Sequence, residues 1–328
     1  MTKKTIGMVF GALLLALGIA AEAQQSKKIP RIGYLSAVFT AGSPRISAFR
    51  QGLREFGYVE GKNIFIEYRY GDQQRKDDGL PELAAELVRL KVDIIVALDP
   101  PSARAAKQST SVIPIVMRAF ADPVREGLVA SIARPGGNIT GLYSVSEELI
   151  GKRLELLKEI NSRLVRVAIL RNLDFANSAR IFKDAEMTAR SLELQLQPLD
   201  VRVADDFDRS FQVAMKKHAE AVITIRTPLM VAERKRISAL AIKSRLPAIY
   251  DDREFVEAGG LMSYGANLED LYKRAATYVD KILKGTKPAD LPVEQPTKFE
   301  LIINLKTAQQ IGLKIPQSVL YRADKVIR

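Results

Sequence analysis

The chain has 328 residues, a length that favours two domains of ordinary size. It contains no cysteine and a single histidine, which excludes disulfides, thiol nucleophiles, cysteine-ligated metals and sites with more than one histidine ligand. Its net charge of +12 is spread along the chain, without an arginine-rich tail or an aromatic-basic motif, so we expect no nucleic-acid partner.

The first 23 residues have the pattern of a secretory signal peptide. Lys3 and Lys4 precede an apolar run at residues 6–20, and Ala21-Glu22-Ala23 supplies the small-residue cleavage pattern. The run is shorter than the ~20 apolar residues of a membrane-spanning helix, so a retained anchor is the less favoured alternative. We therefore expect cleavage near Ala23 and export of the remaining chain to the periplasm.

From Ile29 onward, short strand-like runs alternate with helical patterns. In the first half, strands are predicted at residues 31–35, 64–70, 92–98, 113–117 and 139–143. The helices between and after them are predicted at residues 44–56, 80–90, 103–109 and 124–133. This order is typical of βαβ units, which build a parallel sheet covered by helices on both faces.

The same alternation begins again after residue 143. Further strands are predicted at residues 166–170, 192–199, 221–225 and 246–250, and helices at 147–160, 175–190, 206–217, 229–244 and 268–283. Two successive sheets predict an α/β fold with two doubly wound, Rossmann-like lobes joined by crossing segments. We assign residues 24–143 and 262–290 to an N-terminal lobe, residues 144–261 to a C-terminal lobe, and residues 291–328 to a segment packed across both.

Sequence motifs for catalysis or cofactor binding are missing. Residues 57–63 (GYVEGKN) have one residue too few between the glycines for a phosphate loop, and residues 136–141 (GGNITG) do not fit a dinucleotide motif. No G-x-S-x-G elbow is present. Asp251-Asp252 follows a buried-looking strand, but paired acids more often start a helix than act in catalysis. The sequence predicts no enzymatic activity, no cofactor and no metal.

The candidate binding residues lie where the predicted strands end. The carboxyl ends of parallel strands open into the crevice in which α/β folds bind ligands. The predicted ligand-binding residues are Ser36, Phe39, Asp99, Pro101, Ser102, Phe120 and Asp122 of the N-terminal lobe, and Arg171, Asn172, Arg226, Thr227 and Tyr250 of the C-terminal lobe.

These side chains combine hydroxyls, an amide, aromatic rings and both signs of charge, which suits a small zwitterion. We expect Ser36 and Asn172 to orient the solute, Phe120 and Tyr250 to flank it, and Asp99 and Arg226 to bind its charged groups. The alternative for Ser36, Ser102 and Asp174 is that they only cap helices.

Long stretches of the chain resemble the substrate-binding proteins of ABC transporters whose characterised relatives are linked to tryptophan and tyrosine uptake. They include RIGYLS (31–36), QGLREFGYVEGKNIFIEYRY (51–70), DPVREGLVASIARPGGNITGL (122–142), LPAIYDDREFVEAGGLMSYG (246–265) and RAATYVDKILKGTKPADLPVEQPTKFELIINLKTA (274–308). The resemblance implies a type I periplasmic binding fold, closure of two lobes over a small solute, and a membrane permease with its ATPase as partners. Relatives tend to have a small Gly-Thr-Pro-like turn at residues 98–101 and Trp-Asn-Pro at residues 171–173, and this chain departs from both.

The function that we expect is a periplasmic receptor that captures an amino acid or a small aromatic or organic acid and delivers it to an ABC importer. We expect it to act as a monomer through hinge closure. Alternatives are a periplasmic sensor that docks to a signalling receptor, and an exported enzyme on the same fold. A LacI-type regulator would need a helix-turn-helix before the first strand, where the signal-peptide pattern stands instead.

Overall fold

The computed structural model describes residues 28–37, 42–71, 79–119, 122–175 and 177–328. The predicted signal peptide and the predicted site residues Phe39 and Phe120 lie outside the described residues. Within the described part of the chain, every helix is too short or too polar to cross a membrane.

Five parallel strands form the first sheet. They are β1 (Arg31–Ser36), β2 (Phe65–Tyr70), β3 (Ile94–Ala97), β4 (Ile115–Ala119) and β5 (Ile139–Tyr143). Their spatial order is β2-β1-β3-β4-β5, and the register pairs Ile32 with both Ile66 and Ile94. The inner strands β3 and β4 are buried along their whole length, because packed side chains cover both faces of the sheet.

Three helices follow the first strands: α1 (Pro44–Glu55), α2 (Leu80–Arg89) and α3 (Pro100–Ser109). Each has a proline in its first turn, where the missing backbone N–H leaves no bond unmade. The side chain of Ser43 accepts a hydrogen bond from the Arg45 backbone N at the start of α1, and Asp99 accepts one from the Ser102 backbone N at the start of α3. The sequence therefore determines where these two helices begin.

Residues 124–133, which lie between β4 and β5, form turns and not the predicted helix. Gly127 has a φ of +66°, which is incompatible with a right-handed helix. The Pro123 carbonyl accepts the Leu128 backbone N–H at 2.8 Å, and the Asp122 side chain accepts the Val124 N–H at 2.9 Å. These local hydrogen bonds take the place of helical hydrogen bonds for the backbone N–H groups of Val124 and Leu128.

Seven strands form the second sheet. They are β6 (Arg166–Asn172), β7 (Gln195–Val201), β8 (Ala221–Thr224), β9 (Ala248–Tyr250), β10 (Met262–Ala266), β11 (Phe299–Asn304) and β12 (Lys325–Ile327). Their order is β12-β11-β10-β9-β8-β6-β7, and all neighbours are parallel except β10 and β11. The two sheets confirm the predicted doubly wound α/β class with two lobes.

The remaining helices are α4 (Ile150–Ile160), α5 (Ser178–Ser191), α6 (Asp206–Lys216), α7 (Pro228–Ala232), α8 (Arg234–Lys243), α9 (Arg253–Glu257), α10 (Leu268–Leu283), α11 (Leu305–Gln310) and α12 (Gln317–Leu320). The single helix predicted at residues 229–244 is divided at Glu233 into α7 and α8. All of these helices except α10 surround the second sheet, and we call that unit the second lobe. The first lobe is the first sheet with α1, α2, α3 and α10.

The segment at residues 262–290, which was predicted for the N-terminal lobe, is divided between the lobes. Its strand β10 pairs with β9 and β11 in the second sheet, whereas α10 packs against α1 in the first lobe. Asn267 joins the two and caps α10 by accepting the Asp270 N–H at 2.8 Å.

The C-terminal segment at residues 291–328, which was predicted to pack across both lobes, has residues in each of them but lies mainly in the second. Only its first residues, among them Leu291 and Val293, pack in the first lobe, while β11 and β12 complete the second sheet. The chain therefore crosses between the lobes three times, at residues 144–149, at Asn267 and at residues 295–298.

Candidate functional site

The lobes meet at a buried set of charged side chains, which we call the seam cluster. Its six members are at most 7% exposed: Arg45 and Arg118 from the first lobe, and Arg153, Arg226, Asp251 and Asp252 from the second. Burial of a charge is unfavourable unless the charge is paired or hydrogen-bonded. Their concentration at the lobe boundary makes this boundary the candidate functional site.

Arg226 lies at the centre of the seam cluster. It follows β8, and its Nη1 donates to Asp251 Oδ2 at 2.9 Å and to Asp252 Oδ2 at 2.8 Å. Burial alone lowers the pKa of Arg226, but the two carboxylates outweigh burial and raise the pKa above its usual value. The guanidinium of Arg226 therefore stays charged at the lobe boundary.

Arg45 extends the ion pairs across the lobe boundary. It is in the first turn of α1, and its Nη2 pairs with Asp252 of the second lobe and lies 3.1 Å from Glu254 Oε1. Burial raises the pKa of Asp252, but Arg45 and Arg226 outweigh burial and hold this pKa well below its usual range. Asp252 also caps α9 by accepting the Glu254 N–H at 3.1 Å.

Arg153 ties the first crossing segment to the second lobe. Its Nε donates to the Tyr264 carbonyl at 2.8 Å, and its Nη1 donates to the Ser146 carbonyl at 3.1 Å. The Ser146 hydroxyl in turn donates to Asp251 Oδ2 at 3.2 Å. Burial lowers the pKa of Arg153 to about 10, although Asp251 opposes the shift.

Arg118 reaches the seam from the middle of the first sheet. Its Nε donates to the Leu98 carbonyl at 2.9 Å, and its guanidinium carbon lies 5.5 Å from the centre of the Tyr272 ring. Burial lowers the pKa of Arg118, and the neighbouring charges of Arg226 and Arg45 lower it further. Three arginines from both lobes thus act on one another electrostatically at the seam.

Asp99, Ser36 and Ser102 form a second buried group beside the seam cluster. Asp99 Oδ2 accepts from the Ser36 hydroxyl at 3.0 Å and from the Ala37 N–H at 3.1 Å. Its Oδ1 accepts from the Ser102 N–H at 3.0 Å and from the Ser102 hydroxyl at 2.6 Å. The residue that caps α3 is Asp99, and Ser36 and Ser102 donate to its carboxylate, so these bonds do not match the capping alternative for the two serines. With Asp99 included, four buried arginines face three buried aspartates at the lobe boundary.

Two adjoining cavities open beside the seam cluster. The larger has a volume of about 240 Å³ and is lined by Asp122 and Arg125 of the first lobe and by residues of α4, α5 and the first crossing segment. The smaller has a volume of about 10 Å³ and is lined by Ser146, Glu147, Ile150, Arg153, Phe175, Ile181, Thr224, Ile225 and Arg226. The two cavities share Glu147, Ile150 and Ile181.

The larger cavity has an acidic wall. Burial raises the pKa of Glu147, while Arg180, whose Nη2 donates to Glu147 Oε2 at 2.8 Å, lowers it. Burial also raises the pKa of Glu148, and Asp122 raises it further. Near this wall, Asn177 of the second lobe donates to Glu126 Oε1 of the first lobe at 3.0 Å.

The other predicted site residues are dispersed. Thr227 caps α7 by accepting the Met230 N–H at 3.3 Å, and Asn172 Oδ1 accepts the Asp174 N–H at 2.8 Å in a local turn. Asp122 lines the larger cavity, and Pro101 is half-buried in the first turn of α3.

Two predicted residues lie away from the seam cluster. Tyr250 stacks on Phe255 at 4.5 Å in the core of the second lobe, because its position in β9 directs the ring away from the lobe boundary. Arg171 pairs with Asp200 of the neighbouring strand at 2.5 Å and lies over the Phe182 ring. The structure does not bring either residue to the cavities.

Several residues of the site were not predicted from the sequence. Arg118 interrupts the apolar strand IVMRA, and Arg153 lies on the apolar face of α4 between Ile150 and Leu157. A charged residue in an otherwise apolar pattern is the signal that identifies such buried groups. Arg45 carries no comparable signal, because its partners lie in the other lobe.

A family model described as ABC transporter substrate binding protein matches residues 43–327. The tyrosine-binding protein of Clostridioides difficile (strain R20291) is 28% identical over 266 residues, which are 81% of this chain and 76% of that protein.

Solved structures are similar over 91% of this chain. A conserved domain protein from Vibrio cholerae is 27% identical, with 100% of that chain covered and a TM-score of 0.83. The ABC domain in complex with L-Trp from Streptococcus pneumoniae is 26% identical, with 99% covered and a TM-score of 0.82. A ligand-free, open substrate-binding protein from Clostridium difficile is 25% identical, with 99% covered and a TM-score of 0.69. The chain belongs to the family of ABC transporter substrate-binding proteins and has their two-lobed periplasmic binding fold.

Proposed function

We propose that the protein captures a small solute with a carboxylate group, an amino acid or a small aromatic or organic acid, in the cavities between its lobes. The observation that carries this proposal is that two buried arginines, Arg153 and Arg226, line the smaller cavity. A buried positive charge favours an anionic partner where water is excluded. The tyrosine-binding relative and the similar L-Trp complex support a solute of this class.

The relative position of the lobes supports capture by closure. At equal coverage of this chain and nearly equal identity, the TM-score is 0.82 for the L-Trp complex and 0.69 for the ligand-free, open structure. The Arg45–Asp252 ion pair and the Asn177–Glu126 hydrogen bond both join the two lobes. A solute that contacts both walls would select this closed arrangement.

The family to which the chain belongs supports delivery of the solute to the permease and ATPase of an ABC importer. Proteins of this kind work outside the cytoplasm, in line with the signal-peptide pattern and a periplasmic location for the mature chain. A single chain suffices, because both walls of the site come from the same chain. The protein binds its solute without transforming it.

A thermal-shift screen of the purified, ligand-stripped mature protein tests this function. The panel consists of the proteinogenic amino acids, benzoic and phenylacetic acids, and the amines tyramine and tryptamine, which lack the carboxylate. A solute at a hundred times its Kd adds roughly 2.7 kcal/mol of stability, so the melting temperature rises for at least one acid and for neither amine. Equal shifts with tyramine and tyrosine, or no shift with any acid, would contradict the proposal.

A further inference from the structure

Glu126 is a buried acid at the contact between the lobes. It lies in the turns that follow β4 in the first lobe, and its side chain is only 5% exposed. Its Oε1 accepts a hydrogen bond from Asn177 of the second lobe at 3.0 Å. Its Oε2 is buried and has no hydrogen-bond partner among the residues that the structure describes. Most buried polar atoms in proteins are hydrogen-bonded, so this oxygen needs an explanation.

The cations around Glu126 do not supply a hydrogen bond to this oxygen. They are Arg104 and Lys107 of α3, Arg125 of its own segment, and Arg180 of α5. Arg104 Nη1 lies 4.0 Å from Oε2, which is beyond hydrogen-bonding distance. Arg180 donates instead to Glu147 at 2.8 Å and to Asp184 at 3.2 Å. The other two cations contact a backbone carbonyl and a neighbouring aspartate.

The other acids nearby add to the negative charge at this contact. They are Asp122 of the same segment, Glu147 and Glu148 of the first crossing segment, and Asp184 of α5. Burial raises the pKa of Glu126 above its usual value, although Arg104 and Arg180 act to lower it. A charged Glu126 is therefore unfavourable in the closed form, where water no longer reaches its carboxylate.

Opening of the lobes changes the surroundings of Glu126. The hydrogen bond from Asn177 joins the two lobes, so it breaks on opening, and water then reaches the carboxylate. The pKa of Glu126 therefore returns toward its usual value in the open form. The closed form binds a proton more tightly than the open form does. This preference for closure is fully present below the open-form pKa and is lost as the pH rises through the closed-form pKa.

We propose that closure of the lobes is coupled to uptake of one proton by Glu126, so that a mildly acidic medium favours the closed form. The proton comes from the medium and binds at Oε2, which leaves Oε1 as the acceptor for Asn177. Proton uptake removes the buried charge and keeps the bond between the lobes. The coupling goes beyond the proposed function, because it acts on the balance between open and closed forms whatever the solute is.

Single-molecule fluorescence transfer between the lobes tests the coupling without any solute. The chain has no cysteine, so Lys62→Cys and Lys217→Cys, both at exposed positions, place one dye on each lobe. We expect the ratio of closed to open molecules to rise about threefold or more between pH ~7.5 and pH ~5. Glu126→Gln imitates the neutral carboxyl. We expect it to show a ratio about threefold above that of the wild type already at the higher pH, and to respond less to acid.

Glu82→Gln is the matched control, because Glu82 is an exposed acid on α2, and we expect it to follow the wild type at both pH values. A wild-type ratio that does not change with pH overturns the proposal, and this series remains decisive if Glu126→Gln proves unstable. A full pH response in a stable Glu126→Gln protein also overturns it, because another acid would then take up the proton. Since no solute is used, failure here is distinguishable from failure of the proposed function.

Discussion

The observed hydrogen bonds of the Asp99 carboxylate all lie within the first lobe. Its two oxygens accept four hydrogen bonds, which join the end of β1 at Ser36 and Ala37 to the start of α3 at Ser102. A solute ammonium would have to displace donors that are already bound. The predicted contact of Asp99 with solute stays a prediction, and the observed bonds indicate a role in fixing the first-lobe wall of the cleft.

Replacement of Asp99 separates the two roles. Asp99→Ala is expected to lower the free energy of unfolding by about 2 kcal/mol, because it removes a helix cap and leaves buried donors unpaired. Its solute affinity is expected to change less than threefold. Urea denaturation and titration calorimetry measure the two quantities. Asp174→Ala, which changes an exposed acid after β6, should alter neither, and a large loss of affinity by a stable Asp99→Ala protein would restore Asp99 as a solute ligand.

Among the elements, α1 and α10 pack closely against each other in the first lobe, and Gly52 permits this contact. A Cβ atom at Gly52 would lie 2.4 Å from the Lys273 carbonyl oxygen and 2.9 Å from the Ala276 Cβ. A backbone carbonyl cannot rotate away as a side chain can, so the two helices would have to separate. This contact also holds the first turn of α1, and with it Arg45, at the lobe boundary.

A pair of glycine substitutions tests this packing. Gly52→Ala is expected to destabilise the protein by about 1–3 kcal/mol, although alanine favours a helix by up to about 1 kcal/mol. Gly151→Ala in α4 is the control, because its Cβ would meet only Cγ2 of the exposed Thr188 side chain, which can move. We expect Gly151→Ala to be neutral or slightly stabilising in chemical denaturation. Equal stability of the two variants would contradict the close packing at Gly52.

At the scale of the whole molecule, the seam cluster links ion pairing to closure. Asp252 pairs with Arg226 inside the second lobe and with Arg45 across the boundary. Opening of the lobes separates only the second pair, so Arg45 stabilises the closed form and not the lobe itself. The strength of this pair therefore contributes to the balance between open and closed forms.

Arg45→Met is expected to shift the solute-free protein toward the open form and to weaken solute binding by about tenfold or more, because closure then lacks an ion pair. Small-angle X-ray scattering should show a larger radius of gyration without solute and a return to the compact value at saturation. Arg54→Met, an exposed position on the same helix, should behave as the wild type. An unchanged radius and affinity for Arg45→Met would show that the pair does not control closure.

The strands β1 to β9 and the two-lobed fold could be predicted from the sequence because apolar runs such as those of β3 and β8 determine them locally. The assignment of β10 and α10 to different lobes could not, because it depends on the pairing of β10 with β9 and β11, which no local pattern encodes. For the site, Arg226 was identified from its position after a strand. Tyr250 was predicted at the site but lies in the core of the second lobe. A sequence shows where a strand ends, but the direction of each side chain depends on the register of the strand.

Because the chain crosses between the lobes three times, each lobe is built from segments that are distant in the sequence. The first-lobe core needs Leu271, Tyr272 and Val279 of α10, which are synthesised after β6–β10. The second sheet needs β11, an interior strand near the C-terminus. Neither core can be complete until nearly all of the chain has left the ribosome, and contacts between such distant segments form slowly. Synthesis therefore ends before folding does, and a chain that is still unfolded is what the export predicted from residues 1–23 would require.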